Sequence, residues 1–243
     1  MFKKTEPKDK IRYRNELKYF ISENDLIVIR ERLKPLIKLD PYVDKEKGFY
    51  VVKSLYFDDH EDTCLDHNEF SLGRRKKYRI RIYGDNKDLI LLEKKEKENS
   101  MSRKTSCKLT RQEYDALHYG NVQGLYWKTD KALLKEFVLQ IMYKRFSPKV
   151  IIKYERTAFV DYPGNVRVTL DRNISCSSQN NRFIDSDYTV IPILEKGRHL
   201  LEVKYDEFLP DYIKQVIQLN SLEQATFSKY YMGRVTSQNH GGI

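Results

Sequence analysis

Apolar and polar residues alternate with a period of two along much of the chain, the spacing of strands that keep one face dry and the other wet. The pattern is strongest over residues 74–97, RRKKYRIRIYGDNKDLILLEKKEK, which reads as two strands joined by a Gly84-Asp85-Asn86 turn. Tyr78, Ile80 and Ile82 fall on one face of the first strand; Lys77, Arg79, Arg81 and Tyr83 fall on the other. In the second strand Ile90 and Leu92 share one face, while Leu89 and Leu91 give way to Glu93, Lys95 and Lys97 on the opposite face. A sheet wetted on one side explains a single hairpin of this kind. Repetition along other strands asks for more.

The split does repeat. Residues 12–21 set Arg14, Glu16, Lys18 and Phe20 against Asn15, Leu17, Tyr19 and Ile21. Residues 49–58 set Ser54, Tyr56 and Asp58 against Leu55 and Phe57. Val166, Val168 and Leu170 oppose Arg167, Thr169 and Asp171, and Leu201, Val203 and Tyr205 oppose Glu202, Lys204 and Asp206. Over residues 150–159, Tyr154 and Arg156 alternate with Lys153 and Glu155, and the pattern does not choose the inward face.

Between these strands the apolar spacing becomes helical. Ser22 caps a helix over residues 23–38, striped by Leu26, Ile29, Leu33, Leu36 and Ile37, with Pro35 ending or kinking it early. A second spans residues 131–146 through Leu134, Phe137, Val138 and Ile141, stopped by Pro148. Shorter helices are expected after Thr110, around residues 113–118, and at 211–218. Ser221 and Gln224 form a capping-box start for a segment ended by Gly233, which places helix over much of 211–231. Residues 59–69 read as a surface connection, and residues 98–109, with Arg103, Lys104 and Lys108 among small polar residues, as a segment facing water.

Composition sharpens this picture. The 243 residues are 40% hydrophobic and 12% aromatic, enough for a substantial core, yet 33% are charged. A net charge of +10 points to an anionic partner: nucleic acid, anionic lipid or a phosphorylated small molecule. No Pro/Gly/Ser linker divides the chain, so one domain over residues 1–243 is expected, with flexible tails at 1–10 and 236–243. The first residues lack an apolar signal-like stretch and no run of about 18 apolar residues follows, so a soluble, cytoplasmic protein is expected. Cys64, Cys107 and Cys176 are widely spaced and the five histidines show no ligand spacing, which argues against disulfides and zinc. A divalent metal would instead be held by carboxylates and phosphates, as Mg²⁺ and Mn²⁺ are.

Strands with one apolar and one charged face, accompanied by amphipathic helices, suit either an open sheet or a closed barrel whose apolar face points outward under helices. The closed form, an α+β fold built on a β-barrel, has a charged lumen. Its candidate lining is Arg14, Glu16, Lys18, Arg79, Arg81, Glu93, Lys95, Arg156, Arg167, Asp171, Glu202 and Lys204, a set suited to a polyanion together with a cation.

In this order along the chain, ELKYFI, SLYFDD, YRIRIYG, LLEKKEK, YERTAF, VTLDRNI, LLEVKYD and FSKYYMG resemble the triphosphate tunnel metalloenzymes, and among them the VTC (vacuolar transporter chaperone) polyphosphate polymerase domain. The resemblance implies a closed antiparallel β-barrel tunnel of about eight strands with a charged lumen, and transfer of the γ-phosphate of ATP onto a growing inorganic polyphosphate chain, with release of ADP, assisted by Mn²⁺ or Mg²⁺. By the same resemblance Lys18, Arg79, Arg81, Lys95, Arg156 and Lys229 are catalytic cations on phosphates. Arg167, Lys104, Lys204, Tyr154 and Ser228 are further phosphate contacts, and Glu202 is the metal carboxylate. The residue types agree with such chemistry, because phosphoryl transfer needs positioning and charge neutralisation more than a protein nucleophile. The family's ExExK opening is here Arg14, Glu16 and Lys18, a cation replacing the first carboxylate, which disfavours a two-metal hydrolase. Two rivals remain: a tunnel triphosphatase using water as acceptor, and a non-catalytic binder of polyphosphate or nucleic acid. Against nucleic acid, no RNP-like aromatic motif is present; against a P-loop enzyme, no GxxxxGK[ST]. A membrane partner protein stays open.

Overall fold

The structure, a computed structural model, describes residues 14–69, 74–98, 101–162, 164–217 and 222–240. The strands are β1 (Asn15–Ser22), β2 (Lys38–Leu39), β3 (Tyr50–Asp58), β4 (Arg74–Tyr83), β5 (Asn86–Glu98), β6 (Met101–Leu109), β7 (Ser147–Asp161), β8 (Val166–Ser177), β9 (Ile191–Pro192), β10 (Arg198–Tyr205) and β11 (Glu223–Gln224). The helices are α1 (Glu23–Leu33), α2 (Thr63–Glu69), α3 (Arg111–Tyr119), α4 (Leu125–Lys128), α5 (Ala132–Lys144), α6 (Asp211–Ile217) and α7 (Lys229–His240). The sheet is antiparallel throughout and runs β11-β1-β10-β8-β7-β3-β4-β5-β6. Apart from two-residue strands, the path contains eight long strands: the seven that the alternation marks, and β6.

The expected closed barrel is corrected to an open, curved sheet. Strands β1 and β6 approach through one isolated bridge, in which the Arg14 and Ser102 backbones exchange hydrogen bonds of 3.0 and 3.1 Å. Among the described residues the ladder goes no further, and part of that β1 edge is taken by another segment. Tyr19 and Phe20 pair with Gln224 and Glu223 of β11, and the Ala225 N–H donates to the Lys18 carbonyl at 2.8 Å.

Two apolar layers lie on the sheet. Leu17, Tyr19 and Ile21 of β1, Val166, Val168 and Leu170 of β8, and Leu201 and Val203 of β10 pack with Leu26, Ile29 and Leu33 of α1 and Ile213 of α6. Tyr78, Ile80 and Ile82 of β4, with Ile90 and Leu92 of β5, pack with Leu134, Phe137 and Val138 of α5 and Leu117 of α3. The apolar faces thus lie under helices, as the alternation allowed, on a sheet that stays open.

Helix bounds shift for local reasons. α1 starts at the Ser22 cap, whose hydroxyl accepts the Asp25 N–H, and ends before Pro35. α3 is longer than expected because Thr110 and Glu113 cap each other's backbone. Residues 59–69 contain α2, whose first amides at Cys64 and Leu65 donate to the buried Asp58 carboxylate at 2.9 and 3.1 Å. Residues 101–109, expected to face water as an irregular segment, pair with β5 as β6. Ser221 lies outside the described residues, while Gln224 belongs to β11, so that capping box does not start a helix there. Gly233 does not stop α7 but lies within it: a Cβ there would stand 2.2 Å from Ile152 Cδ1, so only glycine lets the helix approach β7. Residues 236–240 continue α7, whereas the tail expected at 1–10 lies outside the described residues.

Candidate functional site: a charged lumen

β7 turns Tyr154 and Arg156 inward, the choice that its own alternation left open. Tyr154 OH accepts from Arg81 at 3.2 Å, while its ring faces the Arg156 guanidinium at 5.0 Å and the Lys229 ammonium at 4.9 Å. α7 lies on this same concave face, against Ile152, and its Tyr230 ring meets that of Tyr56 at 5.3 Å. It thereby covers one end of the concavity and directs Lys229 into it.

Along one wall, carboxylates and cations are closely matched. Arg156 grips Asp171 through two bonds of 2.6 and 2.7 Å and reaches Glu202 at 3.5 Å. Lys229 bridges Asp171 at 2.7 Å and Glu202 at 2.8 Å, and Lys204 meets Glu202 at 2.9 Å. Burial alone would raise both carboxyl pKa values. Arg156 and Lys229 around Asp171, and Lys204, Lys229, Lys18 and Arg156 around Glu202, outweigh burial and hold both below the ordinary range.

The opposite wall is richer in cations. Arg79 Nε donates to Glu93 at 2.8 Å and its Nη1 to Tyr56 OH at 2.8 Å; Arg81 lies 3.5 Å from Glu93 and donates to Ser54 Oγ at 3.1 Å. Lys104 completes the cage at 3.0 Å. Burial opposes ionisation of Glu93, but Arg81, Arg79 and Lys104 hold it ionised far below the usual carboxylate range. Burial likewise raises the Tyr56 phenol, and Arg79 and Arg81 reverse this to a net lowering.

Between the walls, Glu16 of β1 meets Lys95 at 2.6 Å, Lys204 at 3.6 Å and Lys18 at 3.8 Å. Lys18 also donates to the Phe227 carbonyl at 2.6 Å. Burial, and then Lys18 and Lys204 against the pull of Glu16, push the Lys95 ammonium down to about 8.

The fold thus brings Lys18, Arg79, Arg81, Lys95, Arg156, Lys204, Lys229, Tyr154 and Glu202 into one connected network, with Lys104 at its margin. Arg167 stands apart: it pairs with Asp40 at 2.6 Å and Tyr50 OH at 3.1 Å. Ser228 Oγ accepts from Lys77 at 3.0 Å. Arg14, expected in the lining, pairs with Asp206 at 3.0 Å and with the Asn165 carbonyl. Lys77, Ser54 and Tyr56 belong to the site without having been singled out, and Asp40 holds Arg167 apart from it. Period two had already put Lys77 beside Arg79, whereas Asp40 lies on a turn that no periodicity marks.

Among the described residues no group of three or more His, Cys, Asp or Glu is placed to hold a metal. Glu202 offers hard oxygens, but ammonium groups contact both of them. That donor set suits Mg²⁺ or Mn²⁺ held mainly by phosphate oxygens and water, with one protein carboxylate, rather than an all-protein cage.

A model of the VTC domain family matches residues 13–237. No curated protein matches the chain. Among solved structures, a putative adenylate cyclase from Vibrio parahaemolyticus is 12% identical, with a TM-score of 0.49, covering 92% of this chain and 98% of its own. The PH1819 protein of Pyrococcus horikoshii is 13% identical, with a TM-score of 0.48 and the same two coverages, 92% and 98%. A putative adenylate cyclase from Bacillus halodurans is 12% identical, with a TM-score of 0.46, covering 86% of this chain and 87% of its own.

Proposed function

The chain belongs to the VTC domain family, and from that premise we propose that it is a polyphosphate polymerase, transferring the γ-phosphate of ATP to the end of an inorganic polyphosphate chain and releasing ADP. The observation that carries this reading is the convergence of Arg81, Arg156 and Lys229 around the Tyr154 ring and hydroxyl, cations from three elements directed at one volume, with Arg79 held next to Arg81 by Glu93 and the Tyr56 ring. Arg79 and Arg81 project from alternate positions of one strand, about 7 Å apart, and so address neighbouring parts of one anionic chain. Their guanidinium forks suit paired phosphate oxygens, whereas Lys18, Lys95 and Lys229 supply point charges that tolerate a chain in motion. The attacking group is itself a phosphate oxygen, so these residues act by holding donor and acceptor in line and by neutralising the transferring group.

Glu202 would hold the divalent ion at the boundary of the two walls, releasing Lys204 or Lys229 to a phosphate oxygen. Mn²⁺ or Mg²⁺ held by Glu202 would supply additional neutralisation of phosphate charge. The test is incubation with ATP and either metal, with ADP, free phosphate and long polyphosphate assayed separately. ADP with polymer is expected. Free phosphate in step with ADP, and no polymer, would make the chain a triphosphatase; tight polyphosphate binding without turnover under either metal would make it a binder.

A further inference from the structure

The inward face of the β4–β5 hairpin sets like charges directly opposite one another, which destabilises a sheet unless something else neutralises them. Lys77 stands opposite Lys95, Arg75 opposite Lys97, and Lys95 is opposite Lys104 on its other side. Nearby inward cations are placed differently: Arg79 is opposite Glu93, and Lys18 is opposite Glu202. Lys77 is nevertheless well anchored. Its ammonium donates to Ser228 Oγ at 3.0 Å and lies 5.2 Å from the Tyr230 ring centroid. Ser228 immediately precedes α7, and its Oγ also accepts the Tyr231 N–H at 3.3 Å. Lys18 is tied to the preceding carbonyl, that of Phe227. Ammonium groups from β4 and β1 are therefore fastened to the start of α7, the end of a helix that favours an anion. Because α7 also covers this end of the concavity, a chain that reached it would stop there.

We propose that Lys77 is a phosphate-positioning residue that, with Lys95, Lys18 and Ser228, forms a subsite for the end of a phosphate chain one strand step from Arg79, and that filling this subsite draws a proton onto Lys77. The inference rests on reading the lumen as a polyphosphate site. Among the described residues, the groups facing Lys77 include Arg75 and Arg79 on its own strand, Lys95 on β5, Lys18 on β1, Cys64 on α2, Ser228 just before α7 and Tyr230 on it, with Asp58 of β3 behind Tyr230 at 2.5 Å. Burial, then Arg75, Lys95 and Lys18, against a smaller opposing effect of Cys64, push the ammonium down to about 7. An arriving anion reverses the electrostatic part of that balance and favours the charged form.

The experiment is calorimetric titration of the whole chain with tripolyphosphate at pH 7.5, repeated in two buffers of different ionisation enthalpy. Protons exchanged by the ligand itself enter every variant alike, so the reading is the difference between variants. Wild type should take up more protons per site than either Lys77→Met or Lys77→Arg. Lys77→Met should also bind several-fold more weakly, and Lys77→Arg nearly as tightly as wild type. Equal proton exchange in wild type and both variants, with binding intact, overturns the assignment of Lys77 while leaving the lumen reading in place. No binding by wild type overturns the lumen reading, and this subsite with it.

Discussion

The two walls of the lumen use the same residue types to opposite ends. On the β7–β8–β10 wall, Arg156, Lys229 and Lys204 are engaged by Asp171 and Glu202, so charge is matched within the protein. On the β4–β5–β6 wall, one carboxylate, Glu93, is shared among Arg79, Arg81 and Lys104, and like charges of neighbouring strands stand opposite one another. The first wall is a folding solution: a buried ion network keeps its members charged by pairing them. The second keeps positive potential in reserve, and an anion from outside is its natural complement. Altering the matched wall thus adds structural risk to any functional loss, whereas altering the other acts mainly on function.

Substitutions can break this contrast. The largest stability effect is expected from Asp171→Ala, which removes the two-bond partner of Arg156 and one of the two carboxylates of Lys229 in a buried site; about 3–5 kcal/mol should be lost in denaturant unfolding. A loss below about 1 kcal/mol would show that the matched wall does not hold the fold. Arg81→Ala should lower turnover by about 10²–10³-fold, about 3–4 kcal/mol of transition-state stabilisation, while unfolding changes far less. Arg81→Lys sharpens this result, because it keeps the charge and loses the fork: polyphosphate binding near wild type with much slower turnover is expected. Near-normal turnover in both variants would place this face outside the chemistry. Glu202→Gln should abolish the metal dependence of turnover while the fold survives, and unchanged metal titration together with unfolding would make Glu202 structural. Tyr154→Phe, which removes one acceptor from Arg81 and leaves the ring, should cost about 1 kcal/mol of stability.

Acid and base sharpen the contrast with smaller effects. Glu93 is held below its ordinary value by Arg81, Arg79 and Lys104 against burial, so its contribution to stability is complete above pH 4.5 and is lost as pH falls through the lowered value. Wild type and Glu93→Gln should therefore differ in melting temperature at pH 7 and converge towards pH 2. Lys77 has the opposite sign. Its native pKa lies near 7, below the reference of 10.5, so the unfolded chain binds more protons in that interval and burial of Lys77 costs stability most fully below pH 7. The cost fades as pH rises from 7 to 10.5. The melting temperature of Lys77→Met relative to wild type should fall over that same interval, and a flat difference would show that Lys77 stays charged in the fold.

Much of this molecule was legible in the sequence because strand side chains have only two directions. Once Tyr78, Ile80 and Ile82 are assigned to the core, Lys77, Arg79 and Arg81 must share the other face. The same reasoning placed Glu16 with Lys18 and Glu202 with Lys204, and the ordered motifs agreed with the family to which the chain belongs. It failed where both faces are buried or where backbone contacts decide. Residues 150–159 read equally well either way, since Ile151 and Ile152 are both fully buried. Gly233 reads as a helix stop, and only the approach of Ile152 shows why it lies mid-helix.

The sequence by itself determined which residues share a face, because that depends on local backbone geometry alone. Only the tertiary structure decided how the faces meet. The curvature of the sheet puts Glu16 against Lys95, which lies 79 positions away, and packing of α7 sets Lys229 between Asp171 and Glu202. Closure was decided in the same way: Ala225 and β11 hydrogen-bond the β1 edge that β6 would need, and no alternation of side chains records which backbone groups are already taken.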